Sequence, residues 1–253
     1  MIALEEQIEY RVDGLRVKAI LLRPEGAGPF PGLVVNHGGM SGIDERVLNR
    51  GRSLRDRGYA VILPSFRGED GSEGALDVAA GDVRDALDAL ALLANRDDVD
   101  ATRMGMWGNS RGGLTTLLAA QQTTNLRCVA TSAAILSADD LYEIFASRQD
   151  PGLAEVIRMM GGTPAEQPAE YARRSPLTHM DRLRSRLLVL HADDDTVVNV
   201  RSAHAIRDAL ERTSHPEFTV RTFASGGHRV AFDNPEASRA LDAFLDHHLL
   251  ENS

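Results

Sequence analysis

At 253 residues and 43% hydrophobic composition, the chain has enough apolar material for one large α/β domain spanning 1–253. Its 28 basic against 37 acidic side chains leave a formal charge of −9, which excludes nucleic-acid binding led by phosphate contacts. One cysteine, Cys128, excludes an internal disulfide, and the lack of any bilayer-length apolar run or of a basic-then-apolar start in Met1-Ile2-Ala3-Leu4-Glu5-Glu6 makes a cytoplasmic protein with no membrane partner the expectation.

Residues 7–23 read as a β-hairpin. Ile8, Tyr10 and Val12 alternate with polar residues, Asp13-Gly14 is a tight-turn signal, and Leu15, Val17, Ala19 and Leu21 alternate again. After a Pro/Gly loop, Gly32-Leu33-Val34-Val35-Asn36 is a continuous apolar run, as in a strand covered on both faces. His37-Gly38-Gly39-Met40 follows it directly. A helix is predicted over 46–57 and a buried strand over 59–63. A Gly-rich loop containing Phe66-Arg67-Gly68 leads to an amphipathic helix over 77–95, carried by Ala79, Val83, Leu87, Leu90 and Leu93.

A strand over 103–107, a helix over 112–122 and a strand over 127–131 come next. Cys128 falls in the last of these and reads as a small buried hydrophobe. The segment 137–184 breaks the alternation. Leu141, Ile144 and Phe145 mark one short helix, and Leu153, Val156, Ile157 and Met160 another. An insertion of this length after a strand is usually a small cap over a site, or an interface. Alternation resumes with a strand over 186–190, a helix over 200–213 and a strand over 218–223. A last helix runs over 235–250, with Asn234 as N-cap and Pro235 as its first residue. The pattern gives an α/β fold: a mostly parallel, doubly wound sheet with an N-terminal antiparallel hairpin and a small cap insertion.

The chemistry centres on Met104-Gly105-Met106-Trp107-Gly108-Asn109-Ser110-Arg111-Gly112-Gly113. A short apolar run, Gly-x-Ser-x-Gly and the apolar positions Leu114, Leu117 and Leu118 form strand, sharp turn and helix with a serine at the apex. Such a serine needs a base, and the base needs an orienting carboxylate. In this architecture both follow later strands, acid before histidine. His228, behind Gly226-Gly227 and just after the strand 218–223, fits the base. His37 reads as a loop brace. The acid falls among Asp193, Asp194 and Asp195, and a metal site there lacks the spaced ligand pattern one would need. The residue after the nucleophile, Arg111, supplies one backbone N–H to an oxyanion hole.

With these residues in place the chain resembles the α/β-hydrolase superfamily. More narrowly it resembles the catalytic domain of the prolyl oligopeptidase family and the dienelactone-hydrolase-like esterases. The resemblance rests on Asn36-His37-Gly38-Gly39, Phe66-Arg67-Gly68, Gly108 to Gly113, Ser175-Pro176-Leu177, His191 with Asp195 four residues later, and Gly227-His228. It implies Asp195 as the triad acid and the Gly39 N–H as the second oxyanion donor, with Met40 the neighbouring option. Prolyl oligopeptidases carry a large propeller, for which 253 residues leave no room. Dienelactone hydrolases use a cysteine where Ser110 stands. Ala192 replaces a usual glycine.

The expectation is therefore a serine hydrolase of small-molecule carboxylic esters, acting through an acyl-enzyme with Ser110, Asp195 and His228. It needs no metal or organic cofactor and loses activity in acid as the base protonates. A peptidase of short peptides is the alternative, and a non-catalytic ligand-binding relative the second. Arg67 reads as a loop brace rather than a substrate clamp. Homo-oligomerisation stays open.

Overall fold

Strand β1 (Glu5–Val12) pairs antiparallel with β2 (Leu15–Leu22), and the turn residues Asp13 and Gly14 both have positive φ, 51° and 83°. That is the backbone an Asp-Gly hairpin turn requires. β2 pairs antiparallel with β4 (Ala60–Pro64) and so joins the hairpin to a parallel body. That body contains β3 (Phe30–Asn36), β5 (Val99–Asn109), β6 (Cys128–Ser132), β7 (Arg186–Ala192) and β8 (Phe218–Phe223). The sheet order is β1-β2-β4-β3-β5-β6-β7-β8. The computed structural model describes residues 4–251 apart from 214 and 216. Half of the N-terminal stretch read above, Met1 to Ala3, and the far end of the 1–253 domain expectation, 252–253, lie outside the described residues.

Apolar runs in the central strands feed two cores. Within β3, Val34 joins one core while Leu33 and Val35 join the other, all three fully buried. Successive strand side chains point to opposite faces, so a doubly covered strand needs an unbroken apolar run. One face is covered by α1 (Glu45–Asp56) and α9 (Pro235–Leu249), through Val47, Leu54, Leu241 and Leu245. The other is covered by α2 (Gly81–Ala94), α3 (Arg111–Ala120) and, after the insertion, α7 (Arg201–Thr213), through Leu90, Leu117 and Ile206. Among the described residues, no helix is long and apolar enough to cross a membrane.

Two expectations change. Helix α2 starts at Gly81, not Asp77. The Asp77 carboxylate accepts the Gly81 N–H at 3.0 Å and its carbonyl accepts the Asp82 N–H at 3.2 Å, so 77–80 is a capping loop. The insertion holds three helices rather than two: α4 (Ala138–Ser147), α5 (Leu153–Met160) and α6 (Pro168–Arg173), then a 3-10 stretch over Pro176–Arg182. Pro168 opens α6 instead of breaking the chain, because the first helical position has no N–H to lose. Between β8 and α9 lie a 3-10 turn (Gly227–Arg229) and the short α8 (Val230–Asp233), neither anticipated by periodicity.

β3 lies between β4 and β5, so the chain leaves it on one side and returns on the other. The carboxyl ends of β3 and β5 therefore border the crevice where open α/β sheets take ligands.

Candidate active site

Ser110 follows β5 directly and precedes α3, with φ 57° and ψ −120°. A non-glycine residue in that region is strained, and the surroundings fix it there. Its N–H donates to the Ser132 carbonyl at 2.9 Å, and its carbonyl accepts the Gly113 N–H at 3.0 Å. The flanking glycines are required by contact. A Cβ on Gly112 would overlap the Asn36 carbonyl oxygen, and one on Gly108 would overlap that of Gly112. The tight turn leaves Ser110 8% exposed, with its hydroxyl lining a cleft.

His228 Nε2 lies 2.8 Å from Ser110 Oγ, and its Nδ1 lies 3.0 Å from Asp195 Oδ2. Residues separated by 118 and 33 positions thus form one hydrogen-bonded line. Asp195 Oδ1 accepts the Val197 N–H at 2.7 Å and the Val198 N–H at 3.0 Å. His191 Nε2 approaches Asp195 Oδ2 at 3.3 Å and also lies 2.9 Å from the Val198 carbonyl. Burial works to raise the Asp195 carboxyl, but the hydrogen bonds from His191 and His228 outweigh it and hold the group well below the usual carboxylate range. Asp193 and Asp194 are exposed, unlike Asp195, and Asp194 accepts the Gly227 N–H at 2.7 Å beside the histidine. The three adjacent aspartates thus have different surroundings.

Gly39 and Arg111 line the same cleft. As the first residue of α3, Arg111 has a backbone N–H with no intrahelical acceptor. Gly39 has φ 69°, a left-handed conformation that favours glycine. Beneath them is a buried charge cluster that periodicity and motif spacing did not reveal. The Arg111 guanidinium donates to Glu69 at 3.1 and 2.9 Å, to Asp82 at 3.3 Å and to the Gly39 carbonyl at 2.6 Å. It also lies over the Phe66 ring, 5.0 Å from the centroid. Asp82 accepts the Thr115 hydroxyl at 3.0 Å, and burial pushes its carboxyl up despite the nearby arginine. Asp82 and Asp85 both face the apolar side of α2, the one sequence sign that acids here were not solvated.

Other sequence candidates have structural partners. Arg67 binds Asp85 at 2.8 Å and Asp13 at 3.1 Å and does not line the cleft, so it braces its loop. His37 is buried, stacks on Phe66 at 4.6 Å, and is pushed toward its neutral form by burial and by Arg111. Among the described residues no group of His, Cys, Asp and Glu is arranged to hold a metal ion.

The cleft encloses about 340 Å³. Its apolar wall comes from Ile135, from Leu141, Ile144 and Phe145 of α4, and from Val197 and Phe232. Within the insertion, the lining comes from α4 and from Arg148 and Asp150 just after it. The rest packs elsewhere: Arg174 reaches Asp77 and the Val78 carbonyl, and the Pro176 carbonyl accepts from Gln121. Arg46, Arg148 and Arg229, with Asp44 and Asp150, add charge around the cleft.

A parallel α/β sheet with a serine at its switch point, hydrogen-bonded to a histidine, is the α/β-hydrolase arrangement. Residues 48–252 match the prolyl oligopeptidase family, and the chain belongs to that family of serine hydrolases. It is 30% identical over 210 residues to the uncharacterized peptidase YtmA of Bacillus subtilis (strain 168), covering 82% of this chain and 79% of that one. It is also 30% identical over 210 residues to acyl-coenzyme A thioesterase 6 of Mus musculus, covering 78% of this chain and 47% of that one. Among solved structures, a puromycin-hydrolyzing peptidase of Mycobacterium tuberculosis matches with a TM-score of 0.81 at 25% identity, over 97% of this chain and 40% of that one. The acylaminoacyl peptidase of Pyrococcus horikoshii matches with the same TM-score at 18% identity, over 98% and 42%. The chain therefore spans well under half the length of these solved relatives.

Proposed function

We propose that this chain is a serine peptidase acting on short peptides. Ser110 Oγ attacks the scissile carbonyl, and His228 Nε2 takes its proton. The N–H groups of Gly39 and Arg111 hold the oxyanion as the tetrahedral intermediate forms. His228 returns the proton to the leaving amine, leaving an acyl group on Ser110. Water, deprotonated by His228, then attacks the acyl carbon, and collapse of the second intermediate frees the acid and Ser110. Asp195 holds the imidazole with its proton on Nδ1 and stabilises its cationic form.

The observation that carries this reading is the unbroken line Ser110–His228–Asp195, with separations of 2.8 and 3.0 Å. Peptide substrates replace the small esters expected from the sequence. The family and most of the named relatives are peptidases, and short chain length is no argument against that. A second reading, hydrolysis of acyl esters or thioesters, has the mouse thioesterase in its favour.

The test compares aminoacyl p-nitroanilides, p-nitrophenyl esters and acyl-coenzyme A thioesters on one preparation, with Ser110→Ala alongside. Anilide turnover that vanishes in the folded variant is expected. Thioester turnover without anilide turnover would move the assignment to the second reading. Failure of a fluorophosphonate to label Ser110 in folded protein would remove both.

A further inference from the structure

The loop after β3 is packed through Met40 and Ile43, and the Ile43 N–H donates to Asp70, but Gly39 itself has no such support. Gly39 is exposed, and a Cβ placed on it would meet nothing within 4 Å. An exposed glycine that must present an N–H at a fixed point needs an anchor. Its carbonyl has one, the Arg111 guanidinium at 2.6 Å. That guanidinium is only 2% exposed and is itself held by Glu69 and Asp82. Glu69 then reaches back to the loop, accepting the Gly42 N–H at 3.1 Å. Gly39 carbonyl, Arg111, Glu69 and Gly42 N–H thus close a ring around the loop. The Gly39 N–H and carbonyl belong to neighbouring peptide planes joined only through the φ and ψ of Gly39, so holding the carbonyl, with φ at 69°, restrains where the N–H points.

We propose that the Arg111 side chain positions the oxyanion hole: its backbone supplies one donor, and its guanidinium, locked by Glu69, aims the loop that supplies the other. This rests on the acyl-enzyme reading given above. The guanidinium does not touch the reacting atoms. It acts through the carbonyl of Gly39, so its effect appears where negative charge develops and not where ground-state substrate binds.

The experiment uses Arg111→Met, Arg111→Lys and Glu69→Gln, all of which keep the Arg111 backbone N–H. For each, kcat and KM are measured on the best substrate, together with the inhibition constant of a peptide boronic acid, whose adduct with Ser110 is tetrahedral. In Arg111→Met, kcat should fall about 100-fold with KM nearly unchanged, and boronic acid affinity should weaken in parallel. Arg111→Lys should recover part of the loss, because an ammonium can hold the Gly39 carbonyl but not both carboxylates. Glu69→Gln should lower kcat by about tenfold and decides the matter if Arg111→Met does not fold.

Wild-type kcat and boronic acid affinity in the folded variants would overturn the proposal, as would a loss confined to KM. Ser110→Ala separates the two levels. If that variant is inactive while folded Arg111→Met is fully active, only the positioning role fails. If Ser110→Ala stays active, the acyl-enzyme reading fails first.

Discussion

Asp195 meets two demands at once. It must stay ionised while buried, and it must accept from two histidines and two backbone N–H groups. Asp195→Asn keeps the shape and removes the charge, so the imidazole loses its orientation. We expect kcat to fall by about 10⁴-fold with the protein folded, as steady-state kinetics would show. The same group has a stability signature. Its folded pKa is depressed, so as pH falls the unfolded chain takes up this proton first, near about pH 3.9. The stabilisation is complete above that value and is lost as pH drops toward the folded pKa. Thermal midpoints taken from about pH 5 downward should therefore fall more steeply for wild type than for Asp195→Asn. Equal slopes would mean that Asp195 titrates alike in both states.

At the same scale, Ser110 and His228 were legible because glycine punctuation and chain order mark them. Asp195 stood among three aspartates, and only the resemblance to a family selected it. Glu69 and Asp82 were not legible as site residues. Their partner Arg111 is 42 and 29 positions away, and no local pattern reports a contact of that range.

The elements that carry the site have separate stabilities. Asn234 caps α9 by accepting the Glu236 and Ala237 N–H groups at 2.9 and 3.1 Å, and its amide donates to the Ser225 carbonyl at 2.8 Å. Asn234→Ala should cost about 1 kcal/mol in denaturant unfolding. It should also lower kcat modestly, because Ser225 lies in the loop that ends at His228. A stability loss with wild-type kcat would show that the loop is held elsewhere. Helix α4 has the opposite profile. Phe145 lines the cleft from a half-buried position, so Phe145→Ala should raise KM for substrates with large apolar acyl residues by about tenfold. Glycyl substrates should be almost unaffected.

Periodicity located α4 and most of the regular helices. It set the start of α2 four residues early because Asp77 and Ala79 fit the helical pattern while acting as a capping loop. It missed α6 and α8, which are too short to show a period.

Across the whole molecule, the mostly parallel, doubly wound sheet behind an antiparallel hairpin was the most legible feature, since long apolar runs alternating with amphipathic helices permit few architectures. Its centre is also the most protected part. Cys128 opens β6 fully buried, and burial pushes its thiol up to about 12. A thiol reagent should leave native protein unmodified and active, reacting only at the rate of global unfolding, as a denaturant series would show. Rapid labelling in native buffer would contradict the central placement of β6.

The triad is unevenly protected. Ser110 leaves the middle of the sheet, whereas His228 hangs just beyond β8, an edge strand whose Thr219, Arg221 and Thr222 are exposed. Strands at a margin fray at lower cost than those inside. Warming should therefore silence the enzyme before it melts, with the histidine drifting off while the serine's seat remains intact. The catalytic relay would then act as the fold's own early thermometer.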